Sequence, residues 1–442
     1  MKKPLLLILL LTINGTFAWE IDYSGDATFE QRTYTSNDDI DRTLDSNQSI
    51  KNYHQISLDT DYIKAKFAFT GRVDGEDDNR SLLFINEAYT RFILENIYIS
   101  GGFHQYTKSP FEGFKSFDNI NARNMDSQSS DPEKIGELGA FINFILFEFE
   151  FEAGVLANQS PNILPAERSR SYPSIPDSLT LTEEYFLHGD DDLRRRSDYT
   201  GFYFYLSKMI FDGTFEIMYL DNFDKNNLYY LLDSTVADAN NSNFDLIPVY
   251  FPFEQFSLSY AFPLSDLMIK TQYITKNYKD FYANTFEGIT ISFPNAIVQY
   301  DEFRPLNHTI GLIGVEYQYV YPNNHEGRFF LEMQKILNVT EDEAKTIDAF
   351  QNDLFMAYTH SFNNFSLSEI KFGNFIDISD NSEQLLTLSY AQNLNDDWKI
   401  ETGLQNIQAE EINSDELDPD SFYGLNAYEK NDLVWVNLTR FF

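Results

Sequence analysis

The sequence predicts an all-β chain, a transmembrane antiparallel up-and-down β-barrel of about 18 strands, within a range of roughly 16 to 20. Three observations predict it. Apolar and polar residues alternate with period two in short patches along the chain, as a strand reads when one face meets lipid and the other water. Tight and long connections between these patches also alternate, which a barrel requires when every second turn lies on one side of a membrane. Finally, zero cysteines exclude disulfides, so the fold must hold itself by packing or by hydrogen-bond closure.

Taken in order, Lys2 and Lys3 precede an apolar run from Leu5 to Leu11, and Thr16-Phe17-Ala18 offers a small-residue cleavage site. Residues 1–18 are therefore expected to be a secretory signal, with 19–442 forming one barrel domain that starts at Trp19. The run is too short to span a bilayer as a helix, and no cysteine follows it to carry a lipid. Strand one is expected where Ile21, Tyr23, Gly25, Ala27 and Phe29 alternate with Asp22, Ser24, Asp26, Thr28 and Glu30. The pattern resumes at Ile56, Leu58, Thr60 and Tyr62, returns through Ala65, Phe67, Phe69 and Val73, and recurs at Phe147 to Val155 and at Phe256 to Phe262.

Tight turns are expected near Asp61-Tyr62, Glu95-Asn96, Leu146, Met209, Pro263 to Asp266, Pro294-Asn295, Pro322 to Asn324, Asn363-Asn364 and Asn395 to Asp397. Polar connections fill 36–50, 74–81, 107–134, 159–197, 221–247, 276–283, 301–308, 338–350, 376–383 and 408–430. These divide the chain into twenty strands. Boundaries read this way err by roughly 2 to 4 residues, so the weak pair within 283–304 is discounted as loop, which brings the expectation to about 18. Tyr260, Phe262, Tyr317, Tyr319, Tyr321, Phe362, Phe365 and Trp398 flank the tight turns, as a girdle at headgroup level would.

The formal net charge is -37, and removing Lys2 and Lys3 takes it to -39, which argues against nucleic acid as a partner. The six histidines (54, 104, 188, 308, 325 and 360) accompany no Gly-x-Ser-x-Gly or His-Glu-x-x-His, so neither an enzyme nor a cofactor is expected. Metal binding is not expected either. His325-Glu326 reads as a turn pair, and Asp415 to Asp420 lacks the glycine and spacing of a calcium loop.

The last ten residues, LVWVNLTRFF, put Val434, Val436, Leu438 and Phe442 on one side of a strand. This stretch resembles the closing strand of Gram-negative outer-membrane β-barrels, whose terminal Phe is read by the insertion machinery. Arg440 stands third from the end, where that family usually carries an aromatic or apolar residue. Phe84 to Tyr89, with Asn86, Glu87 and Tyr89, then Gly101 to Gln105, then Asp118 to Asn121, are similar to a pattern in proteobacterial porin-like barrels. The resemblance covers about residues 80 to 125 and lacks the Arg or Lys and the Trp-Gly usual around the Gln. It implies a cell outer-membrane channel for small solutes, in contact with membrane lipid and lipopolysaccharide, and leaves the oligomeric state open. Glu87 and Gln105 could equally satisfy one another across neighbouring strands.

The longest connection, 159–197, carries Pro161, Pro165, Pro173 and Pro176 together with Arg168, Arg170, Arg194, Arg195 and Arg196. The strand before it is expected to turn Glu148, Glu150 and Glu152 to the lumen. Folded inward, the arginines would face those carboxylates across the pore; folded outward, the triplet would pair with Asp190 to Asp192. Lumen acids, with Asp22 and Asp26 among them, predict a cation preference. Two alternatives stand beside a channel for polar solutes: a substrate-specific conduit for apolar or aromatic compounds or an exporter partner, suggested by Phe111, Phe114 and Phe117, and a plugged structural or adhesion barrel.

Overall fold

In the computed structural model the described residues are 20–35, 44–76, 80–125, 132–157, 160–165, 168–170, 179–181, 186–187, 200–226, 229–233, 244–279, 290–293, 296–298, 305–345, 347–379, 383–409, 425 and 431–442. Eighteen strands among them form one sheet. They are β1 Glu20–Tyr34, β2 Ser46–Asp59, β3 Ile63–Asp74, β4 Leu82–Leu94, β5 Ile97–His104, β6 Glu137–Leu146, β7 Phe149–Leu156, β8 Gly201–Ile210 and β9 Gly213–Phe223. The circuit continues with β10 Pro252–Leu264, β11 Leu267–Tyr278, β12 His308–Val320, β13 Glu326–Leu337, β14 Asn352–Ser361, β15 Glu369–Asp377, β16 Gln384–Asn393, β17 Trp398–Gln408 and β18 Leu433–Phe441.

Each strand pairs antiparallel with the next, and β18 pairs antiparallel with β1 from Asp26↔Phe441 to Tyr34↔Leu433. The sheet is therefore closed, and no strand is left with a bare edge to present to lipid. At the seam, Gly25 and Phe442 exchange backbone hydrogen bonds of 3.0 and 3.1 Å. The Phe442 ring stacks on Tyr23 and lies tilted over His54. A Cβ on Gly25 would stand 2.9 Å from that ring and 2.8 Å from the Tyr53 carbonyl, so only glycine lets the final phenylalanine settle there.

The predicted period-two pattern corresponds to a real division of faces. Thr28, Glu30, Ser49 and Arg72 are buried inside, while Phe29, Ile50 and Val73 on the same strands are exposed. Tyr317, Tyr319, Tyr321, Phe362 and Trp398 cluster at the end carrying the short turns and the seam. The two-residue turns Phe147-Glu148 and Phe211-Asp212 have positive φ at both positions, the twist that suits a tight hairpin. The sequence places them one or two residues early, at Leu146 and Met209; no Gly, Asn or Pro marks the first, while Asp212-Gly213 at the second was available as a signal.

The turn expected at Pro294-Asn295 lies outside the described residues. The strands on either side of it, Thr290–Phe293 and Ala296–Val298, pair with each other in a separate sheet of six short strands and not in the barrel. Discounting that pair is what reduces twenty expected strands to 18. Among the described residues no helix is long and apolar enough to cross a membrane. The short helix Glu341–Lys345 starts at Thr340, whose hydroxyl and backbone N–H donate to the Glu343 carboxylate, a capping box.

Candidate functional site

Among the described residues, the lumen is shaped by a connection that leaves the wall. Strand β5 has only 8 residues; the chain then turns inward at Gln105 and rejoins the wall at Glu137. Its neck is tied by Asn121, whose Nδ2 donates to the His104 and Ile135 carbonyls at 2.7 and 2.8 Å and whose Oδ1 accepts the Tyr106 N–H at 2.7 Å. Gln105 Nε2 donates to the Lys134 carbonyl. The Lys134 ammonium joins the Asp118 carboxylate and donates to the Tyr106 carbonyl. Burial holds that ammonium below the usual lysine range, although Asp118 works against the shift.

The tip of this segment crosses the lumen and docks on the far wall. The N–H groups of Glu112 and Gly113 donate to the two oxygens of Glu332 on β13 at 3.0 and 2.9 Å. Ser116 donates to Gln334 at 2.6 Å, and Gln255 on β10 donates to the Phe117 carbonyl at 3.1 Å. Phe114 meets Phe350, Phe355 and Phe375 edge-on. A Cβ on Gly113 would lie 2.3 Å from Phe355, so the backbone can pass over that ring only at a glycine. Below the tip, Asn119 donates to Asp224, which Tyr278 and Lys276 also hold, and Lys225 pairs with Glu137 at 2.5 Å.

Among the described residues, this segment covers one side of the barrel interior and leaves side chains on the other accessible. Inward side chains on β1 to β4 and β16 to β18, among them Asp26, Lys51, Tyr53, Glu87, Tyr89, Glu401 and Asn437, keep part of their surface accessible. Around the whole inner face, several charges are matched. Glu87 pairs with Lys66, Glu152 with Lys108 at 3.4 Å, Glu316 with Lys270 at 2.9 Å, Glu369 with Lys371 at 2.9 Å and Glu401 with Lys399 at 3.2 Å. Asp26, Glu150 and Glu216 are held instead by hydroxyls and amides: Thr28, then Asn143 and Ser207, then Tyr205 and Ser259.

The residues singled out from sequence fall in several places. Glu150 and Glu152 point inward, but Glu148 lies in the turn before β7 with φ of 66° and is exposed, so it is not on the strand where the alternation put it. Asn86 and Glu87, neighbours in sequence, both face inward, because a register shift at Ala68/Phe69 makes Asn86 an inserted residue. Asn86 accepts from Thr70 at 2.8 Å. Glu87 and Gln105 do not satisfy one another: their partners are Lys66 and the Lys134 carbonyl. Tyr89 stacks on His104, 4.4 Å between centroids. The motif residues Gln105, Asp118 and Asn121 thus build the neck of the inward segment.

Arg168 and Arg170 do not face Glu150 or Glu152. Arg168 donates to the Glu76 carbonyl at 2.9 Å, and Arg170 reaches Asp45 at 3.0 Å, so both fasten neighbouring long connections. Arg194, Arg195 and Arg196 lie outside the described residues, as does the expected signal 1–18. Phe111, Phe114 and Phe117 are at most 3% exposed; they are anchors packed against the wall and do not line the wet side. Sequence reasoning missed Glu332, Gln334 and Lys108. The signal that could have pointed to this loop was its recurring Phe111, Phe114, Phe117 and Ile120, since apolar side chains in a polar connection need something to bury them.

No family model and no curated protein matches the chain. Among solved structures it is similar to a Rhodopseudomonas blastica porin triple mutant, at 11% identity and a TM-score of 0.40, over 96% of this chain and 100% of that one. It is also similar to Salmonella typhi OmpF in complex with daunomycin, at 10% identity and a TM-score of 0.46, over 96% of this chain and 97% of that one. These are likenesses of one barrel to others, and the fold itself rests on this chain's own closed circuit of 18 antiparallel strands.

Proposed function

We propose that the chain is a passive channel of a Gram-negative outer membrane, admitting small polar solutes through the wet side of the lumen with a preference for cations. One observation carries this reading. Among the described residues, a closed barrel with an apolar outer face holds an inward segment that covers only part of its interior, and the part it does not cover is lined by Asp26, Lys51, Tyr53, Glu87 and Glu401. Paired charges there would hold water in order, while Asp26, Glu150 and Glu216 leave an excess of negative field to concentrate cations. In this reading residues 1–18 direct export, the insertion machinery recognises the strand ending in Phe442, and the short turns face the periplasm. The long connections then meet lipopolysaccharide and solvent.

The test is conductance. The purified barrel, placed in a planar bilayer between 0.1 M and 1 M potassium chloride, should give discrete steps and a reversal potential of cation sign. The preference should be stronger at low salt, because the Debye length shrinks from about 10 Å at 0.1 M to about 3 Å at 1 M. A barrel that passes no current would be plugged, and a reversal potential of anion sign would end the cation reading.

A further inference from the structure

The geometry points to a transition-metal site at the rim that carries the short turns, formed by His325 and His360. His325 sits in the turn between β12 and β13, and His360 lies on β14 facing outward. Their Nδ1 and Nε2 atoms stand 3.2 Å apart. Two nitrogens bound at 2.0–2.1 Å to one tetrahedral zinc would be about 3.3 Å apart, so the pair already has the separation that a shared ion requires. For a direct N–H···N hydrogen bond the same distance is at the long limit.

The surroundings fix both rings. The other nitrogen of His360, Nδ1, is 3.0 Å from the Tyr358 hydroxyl, which is 3.0 Å from the Tyr321 hydroxyl. A ligating imidazole needs such a partner on its far nitrogen to set tautomer and ring orientation. Phe362 meets His325 and His360 edge-on, at 5.2 and 4.6 Å between centroids. Both histidines remain partly accessible, so an ion can reach them.

The preferred ion follows from the donors. Neutral imidazoles select zinc, copper and nickel over magnesium and calcium, which take oxygen ligands. No group of three or more His, Asp and Glu is arranged for a metal among the described residues, so water would complete the coordination, and the bound ion would clip the β12–β13 turn to β14. The site does not depend on whether the barrel conducts.

The experiment titrates the purified barrel in detergent with zinc in the presence of millimolar magnesium, which occupies the many carboxylates. One zinc per chain should bind, displaced by nickel or copper. His325→Ala and His360→Ala should each weaken binding by about an order of magnitude or more, and Tyr358→Phe, which keeps both ligands, by about tenfold. Each variant is first checked for the folded band on an unheated gel. With copper in place of zinc, electron paramagnetic resonance should show coupling to two nitrogens. Wild-type zinc affinity in either folded histidine variant, or a copper spectrum without nitrogen coupling, would overturn the site.

Discussion

The two sides of the lumen begin with similar wall chemistry and end in different states. On β10 to β14 the inward Gln255, Gln272, Gln334 and Asp353 are at most 3% exposed, while on β1 to β4 and β16 to β18 the inward Lys51, Tyr53, Glu87 and Asn437 keep contact with solvent. Strand alternation specifies a polar inner face on both sides. The segment from 105 to 136 makes the difference, because its tip brings Phe111, Phe114 and Phe117 against one wall, whereas on the other Glu30, Ser49 and Arg72 are buried but Lys51, Tyr53, Glu87 and Asn437 are not. An inward polar position in a barrel strand is therefore only eligible to meet water; a loop from elsewhere in the chain decides whether it does.

The strongest way to break this comparison is to remove the tip. Replacing residues 109–118 by a short Gly-Ser linker should open the dry side and raise single-channel conductance several-fold, with the barrel still folded. Unchanged conductance would mean that the segment does not restrict the path. A smaller effect is expected from Phe114→Ala. Its ring is packed among Phe350, Phe355 and Phe375, and loss of a buried Phe costs roughly 3–5 kcal/mol, to be seen as a lower melting temperature and noisier open current. Tyr53→Phe on the wet side removes one hydrogen bond to Gln55, a net effect of about 1 kcal/mol. Equal destabilisation by the two changes would erase the distinction between the sides.

What the sequence made legible follows the same line. Local periodicity sets a strand and its faces, so the barrel and its strand number could be read from residues such as Ile21 to Glu30. Turns carrying Asn or Pro, such as Asn363-Asn364, were found, and Phe147-Glu148 was misplaced because it has no turn residue. The partners of Gln105, Glu87 and Arg170 were not legible, since Lys134, Lys66 and Asp45 meet them only through strand register and loop path. His325 and His360 show this most clearly. They are 35 positions apart and become neighbours only when β13 and β14 pair.

Selectivity offers a gentler probe of the charges inside the barrel. Glu150 and Glu216 have no ion-paired cation among the described residues and are held by neutral donors. Glu150→Gln and Glu216→Gln together should therefore shift the reversal potential toward anions. Lys66→Gln should shift it the other way by leaving Glu87 without its lysine. Cation-to-anion ratios that ignore both changes would remove these carboxylates from the ion path.

The smallest expected effect concerns acid, and it tests the tie between the two sides. Glu133, on the returning limb of the inward segment, joins Lys51 of the wet wall at 2.7 Å and lies 3.7 Å from Arg72. Burial pushes its carboxyl up, but Lys51 and Arg72 outweigh burial and hold it below the usual carboxylate range. An acid whose pKa is lowered in the folded state contributes stability that is complete above the ordinary value, about 4.3, and disappears as pH falls through the lowered one. Current noise should thus stay flat from neutral pH down to that ordinary value and rise only in stronger acid. Glu133→Gln should show the acid behaviour at neutral pH. A rise in wild-type noise already near pH 6, or a quiet Glu133→Gln channel, would mean that another contact keeps the segment seated against the wall.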